Sequence, residues 1–131
     1  MKKLILICSL CFSIFGYSQE DILKDPEFKE YEKEVVAFMT SKDYLNYEKL
    51  KKVWLYPSSS DIDFSSDEVK KEFRTKLKEA YDVISDKEKE ITKMRVDLIE
   101  KYTQEVFLTT NKVINQQVYQ INYPYYKSIY E

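Results

Sequence analysis

The stretch Ser65-Ser66-Asp67-Glu68-Val69-Lys70-Lys71-Glu72-Phe73-Arg74-Thr75-Lys76-Leu77-Lys78-Glu79-Ala80-Tyr81-Asp82-Val83-Ile84 decides the fold class. Val69, Phe73, Leu77, Tyr81 and Ile84 recur every three or four residues, which is the spacing of one face of an α-helix. Lysines and glutamates fill the opposite face. Ser65-x-x-Glu68 has the pattern of a capping box, in which serine and glutamate side chains satisfy backbone donors of the first turn. A helix over about 66–84 follows. Its stability must come from burying the apolar stripe against other elements, because an isolated amphipathic helix is marginal in water.

The same pattern extends in both directions. A second box, Ser85-x-x-Glu88, predicts a new helix over about 86–108, with Ile91, Met94, Leu98, Tyr102 and Val106 on one face. Thr109-Thr110-Asn111 reads as a break or kink unless the helix passes through it; Ile114, Val118 and Ile121 then suit a helix over 111–123, while Val113, Tyr119, Ile121 and Tyr123 partly fit strand alternation. Tyr123 precedes Pro124, a position biased away from the α region, so an extended or turning segment is expected from there. Toward the N-terminus, Tyr44, Tyr47, Leu50 and Trp54 mark a helix over about 43–55, closed by Pro57 and three serines. Before it, Asp25 as N-cap and Pro26 at the first helical position open a helix over about 26–40 that carries Phe28, Tyr31, Val35 and Phe38. The expectation is an all-α fold, a small helical bundle of four to five amphipathic helices in one domain, residues 19–131. Its C-terminal segment, 119–131, is rich in tyrosine.

Residues 1–18 read as a secretory signal peptide. Met1-Lys2-Lys3 is the positive start, Leu4 to Phe15 the apolar run, and Gly16-Tyr17-Ser18 places small residues before a cut between Ser18 and Gln19. The run of about 12 residues is shorter than the roughly 20 that span a bilayer. Bulky Ile7 and Leu10 precede Cys8 and Cys11, which argues against a lipoprotein. Cleavage removes both cysteines and Gly16, the only glycine, leaving a chain with no disulfide and no histidine. It also removes Lys2 and Lys3, so 19 Lys and Arg face 23 Asp and Glu, a net charge of −4. That balance gives no basic excess for nucleic acid or anionic lipid. A periplasmic or extracellular location is expected, with no membrane span after cleavage.

The inventory also limits the chemistry. Zinc sites and histidine- or cysteine-based catalysis lack their residues in the cleaved chain. A carboxylate pair of the glycosidase kind is the surviving enzymatic option, with Asp82 and Asp97 the acids nearest the apolar stripes. Asp61 to Glu72 resembles an EF-hand calcium loop, with Asp61, Asp63, Ser65, Asp67 and Glu72 as the oxygen ligands. It departs at Ser66, where the loop's sharp turn needs glycine, and at Glu68, where an apolar residue is usual. The alternative is that these acids flank a helix start, favoured by its dipole.

Tyr31, Tyr47, Tyr81 and Tyr102 lie on the stripes and suit the core. Trp54, Tyr56, Tyr123, Tyr125, Tyr126 and Tyr130 lie at helix ends or off the periodic faces and are the candidate protein contacts. Size, leader and helices resemble those of periplasmic helical chaperones, yet Leu108-Thr109-Thr110-Asn111-Lys112 lacks the glutamine of their LTxxQ repeat, and no family is assigned. The expected function is a non-enzymatic, protein-binding or structural envelope module without a cofactor. Its expected partner is another envelope or extracellular protein. Weak calcium binding is the first alternative and a carboxylate hydrolase the second.

Overall fold

Asp25 starts the first long helix as the local chemistry demands: its backbone is extended, and its carboxylate accepts a hydrogen bond from the Glu27 N–H at 2.8 Å, ahead of Pro26 in the first turn. The computed structural model describes the backbone of residues 19–130 and the side chains of residues 21–128. The expected signal peptide, residues 1–18, lies outside the described residues. Five helices follow one another: α1 (Gln19–Lys24), α2 (Pro26–Met39), α3 (Lys42–Leu55), α4 (Asp67–Tyr102) and α5 (Gln104–Tyr130). A 3-10 turn, Pro57–Ser59, lies between α3 and α4, and no strand occurs among the described residues. The fold is an all-α helical bundle.

Contacts between helices fix their directions. Asp25 meets Tyr102, Tyr31 meets Arg95 and Glu34 pairs with Lys87, so α2 runs antiparallel to α4. Tyr31 also bonds Asn111, and Asn122 bonds the carbonyl of Met39, so α2 runs parallel to α5. Tyr47 packs on Tyr81 and Trp54 on Phe73, which makes α3 antiparallel to α4 as well. Hence α2 and α3 lie head to tail along α4, whose 36 residues make it about 54 Å long. The main core joins Ile22 of α1, Phe28, Tyr31 and Val35 of α2, Ile91, Leu98 and Tyr102 of α4, and Phe107, Ile114 and Val118 of α5. Fully burying each large side chain contributes roughly 1.5–3 kcal/mol.

Four sequence expectations are corrected. Ser85-x-x-Glu88 does not start a helix: α4 runs unbroken from Asp67 to Tyr102, and the Ser85 hydroxyl donates to the Asp82 carbonyl one turn back. Serine tolerates a helix interior in this way, and the buried stripe of Phe73, Ala80, Ile84, Ile91, Leu98 and Tyr102 passes through Ser85 without a change of face. The cap of α4 is Ser66, not Ser65, with its hydroxyl facing the Val69 N–H. Thr109-Thr110-Asn111 is no break either, because both threonine hydroxyls donate to carbonyls four residues back, Glu105 and Val106. The chain turns instead at Thr103.

Thr103 has φ 84° and ψ 153°, a region nearly reserved for glycine, and it is the one residue with positive φ among those described. Its N–H closes α4 on the Ile99 carbonyl, and its carbonyl accepts the Phe107 N–H of α5. Finally, α5 continues through Pro124 to Tyr130 instead of ending near Tyr123. Proline removes one helical bond, to Gln120, at an exposed position. Asn122 and Tyr125 on either side tie those turns to α2 and α3.

Candidate functional site

The joint between α2 and α3 is two residues long. Thr40 ends α2 with its hydroxyl on the Val36 carbonyl at 2.6 Å. Ser41 is extended and its side chain accepts the Tyr44 N–H at 3.2 Å, which caps α3. Two helices that meet head to tail leave a gap in their packing against α4, and α5 covers only part of it. Asn122 donates to the Met39 carbonyl at 2.9 Å and the Tyr125 hydroxyl to the Leu45 carbonyl at 3.0 Å, so α5 holds the joint by its backbone. Asn122 is itself buried, so this contact satisfies a polar group that would otherwise be costly.

A cavity of about 270 Å³ remains over the joint. Val35, Phe38 and Met39 of α2 and Ile91 of α4 give it an apolar floor, Tyr44 and Tyr47 a wall, and Glu48, Lys51, Glu88, Thr92 and Arg95 a polar rim. The Tyr44 ring lies 5.0 Å from that of Phe38. Burial pushes the Tyr44 hydroxyl above its ordinary range, and the carboxylates of Glu48 and Glu88 push it the same way. The Lys51 ammonium stands 5.9 Å over the Tyr47 ring, and Arg95 Nε donates to the Tyr31 hydroxyl at 3.3 Å.

A second surface lies on α5. Tyr119 and Tyr123 are 56% and 48% exposed, with ring centroids 5.9 Å apart, and Tyr119 lies 5.9 Å from half-buried Tyr126. Tyr125 is half-buried against Tyr126 at 6.2 Å. The Tyr130 side chain lies outside the described residues. Leu108 extends the exposed side toward Thr103.

No family model, curated protein or solved structure matches the chain.

The remaining sequence candidates fall in separate places. Trp54 is half-buried, stacked on Phe73 at 5.9 Å, edge-on to Phe64 at 6.2 Å, and covered by the Arg74 guanidinium at 5.3 Å. It holds α3 and the loop before α4 to the start of α4, and it lines a shallow hollow with Tyr47 and Tyr81. Tyr56 beside it is exposed. Tyr31 and Tyr102 are core residues, whereas Tyr81, expected there, is exposed because Ala80 takes the buried position next to it.

The calcium candidates are not gathered. Asp61, Asp63, Ser65, Asp67 and Glu72 are all exposed, and among the described residues no group of three or more acids forms a metal cage. Asp63 accepts the Ser65 N–H at 3.0 Å, and hydrogen bonds from Ser65 hold its carboxyl below the usual range. Asp67 and Glu68 occupy the first turn of α4, where the helix dipole favours them. Asp82 pairs with Lys78 at 2.8 Å on the exposed side of α4, and Asp97 faces a shallow hollow with Glu27 and Glu30. The residues that sequence reasoning missed are Asn122, Glu48, Glu88 and Arg95. Their relation exists only once three helices are brought together.

Proposed function

We propose that the chain is an exported, non-enzymatic module that binds another envelope or extracellular protein through the tyrosine side of α5. The observation that carries this reading is the contiguous row of Tyr119, Tyr123 and Tyr126, whose rings touch each other while two of them stay open to solvent. Tyrosine gives a large contact area with few rotatable bonds and keeps a hydroxyl for hydrogen bonding, which suits a recognition surface. The segment is held rigid beneath by Asn122 and Tyr125, so little ordering cost falls on binding. Export is supported by the leader-like pattern of residues 1–18, and no described helix is long and apolar enough to cross a membrane.

The shifted acids give no candidate general acid for a carboxylate hydrolase. The carboxyls that depart from ordinary values, Asp25, Glu34 and Asp63, are all lowered by hydrogen bonds, joined at Asp25 and Glu34 by lysine charge. A general acid needs the opposite direction.

Site-specific photo-crosslinking tests the reading. A photoreactive phenylalanine analogue at position 119 or 123, in cells of the source organism, is expected to give one discrete protein adduct, and the same analogue at exposed Lys93 on α4 none. Adducts that are absent at 119 and 123, or equal at all three, would remove the proposed surface. The N-terminal sequence of the recovered protein, expected to begin at Gln19, tests export separately.

A further inference from the structure

The cavity over the α2–α3 joint carries side chains of both charges on its rim. Around the cavity stand Glu48 and Lys51 from α3 and Glu88 and Arg95 from α4, and among the described residues none of the four forms an ion pair. Lys51 rests over the Tyr47 ring, and Arg95 uses one of its five N–H donors on Tyr31, leaving the others for a ligand. Two acids and two bases, each pair contributed by both helices, thus surround one apolar-floored space. At about 270 Å³ the space lies just below the range of roughly 300–1,000 Å³ that holds drug-sized molecules.

We propose that this cavity binds a free apolar α-amino acid, with its ammonium toward Glu48 and Glu88, its carboxylate toward Lys51 and Arg95, and its side chain on the floor between α2 and α4. A simple cation would leave Lys51 and Arg95 facing it with like charge. A simple anion would meet Glu48 and Glu88 in the same way. A ligand bearing both charges on an apolar body matches the rim and the floor together. The site is separate from the tyrosine side of α5, so either can fail without the other.

The test is a nuclear magnetic resonance titration of the protein produced from the full sequence, with L-leucine and L-phenylalanine as probes. The expected result is saturable shifts at Tyr44, Tyr47 and Thr92. N-acetyl-L-phenylalanine lacks the ammonium and L-phenylalaninamide lacks the carboxylate. Each is expected to bind about tenfold more weakly or worse, the loss that follows from one charge-assisted hydrogen bond. Glu88→Gln and Lys51→Gln change exposed rim groups and are expected to reproduce those two losses while leaving the melting temperature unchanged. No saturable shift at the joint with millimolar probe overturns the proposal. So does equal binding of the free and the capped amino acids, which would mark an apolar pocket for a peptide side chain.

Discussion

Replacing Asp25 is expected to destabilise this protein more than replacing any other acid. Its carboxylate caps α2 through the Glu27 N–H at 2.8 Å, accepts the buried Tyr102 hydroxyl, and takes a bond from Lys101 Nζ at 2.6 Å. Asp25 is buried, whereas the Lys101 side chain is 45% exposed. In Asp25→Ala the lost cap costs about 1 kcal/mol. The Tyr102 hydroxyl, left without its charged acceptor in the core, costs about 2–3 kcal/mol more. Lys101 returns to water, so its share is small. The total is about 3–4 kcal/mol, which lowers the melting temperature of a domain this size by roughly 12–16 °C. Asp25→Asn keeps a cap and an acceptor but loses the charge, and is expected to cost about 2 kcal/mol at neutral pH.

The pH profile separates charge from shape. Lys101 and Tyr102 hold the Asp25 carboxyl down to about 2 from its ordinary 3.8. A carboxyl lowered in the folded state stabilises fully above its unfolded value and loses that contribution as pH falls through the folded one. Wild type should therefore exceed Asp25→Asn above pH 4, and their unfolding free energies should converge between pH 4 and pH 2. Urea denaturation followed by circular dichroism measures both. A cost below about 1 kcal/mol for Asp25→Ala, or parallel profiles down to pH 2, would refute this account.

Thr103→Gly should raise stability by about 1 kcal/mol, as relief of a backbone strain of order 1–3 kcal/mol outweighs the extra chain entropy of glycine; a lower urea midpoint would contradict the φ of 84°. Asn122→Ala should cost about 1–3 kcal/mol by leaving the Met39 carbonyl without its donor. It should also speed amide exchange at the start of α3, and unchanged exchange there would show that α5 does not hold the joint. Millimolar calcium should leave the melting temperature within about 1 °C, since the acids from Asp61 to Glu72 stay apart and a site is needed for stabilisation by binding. A rise abolished by Asp61→Ala would reinstate the loop.

The stripes and caps visible in the sequence account for α2 and α3 almost to the residue, because Asp25, Pro26 and the apolar spacing act within one turn. The errors arise where a local signal competes with packing. Ser85 and Glu88 carry a helix-start pattern, but the stripe from Ile84 to Ile91 buries the same face on both sides, and that burial outweighs a cap. The turn at Thr103 leaves no mark because it uses a β-branched residue where glycine or proline would have announced it. Asn122 looks like one of several polar residues in α5, and only the arrival of Met39 gives it a role. The tyrosine side of α5 was partly legible, as Tyr123 and Tyr126 stand out by composition. The joint cavity was not, since its charges lie 40 residues apart and are unremarkable in either helix.

The head-to-tail placement of α2 and α3 on one long helix divides the molecule into two tiers of cohesion. The C-terminal half of α4 is clamped between α2 and α5 in the main cluster, while Phe73, Ala80 and Ile84 lie outside it and α3 contributes no fully buried residue. Local opening follows the smallest buried apolar area, so α3 with the first half of α4 forms a subglobal unit that can detach while the rest stays folded. The joint is the seam between these two tiers, and anything bound across Glu48 and Glu88 would stitch them into one cooperative body.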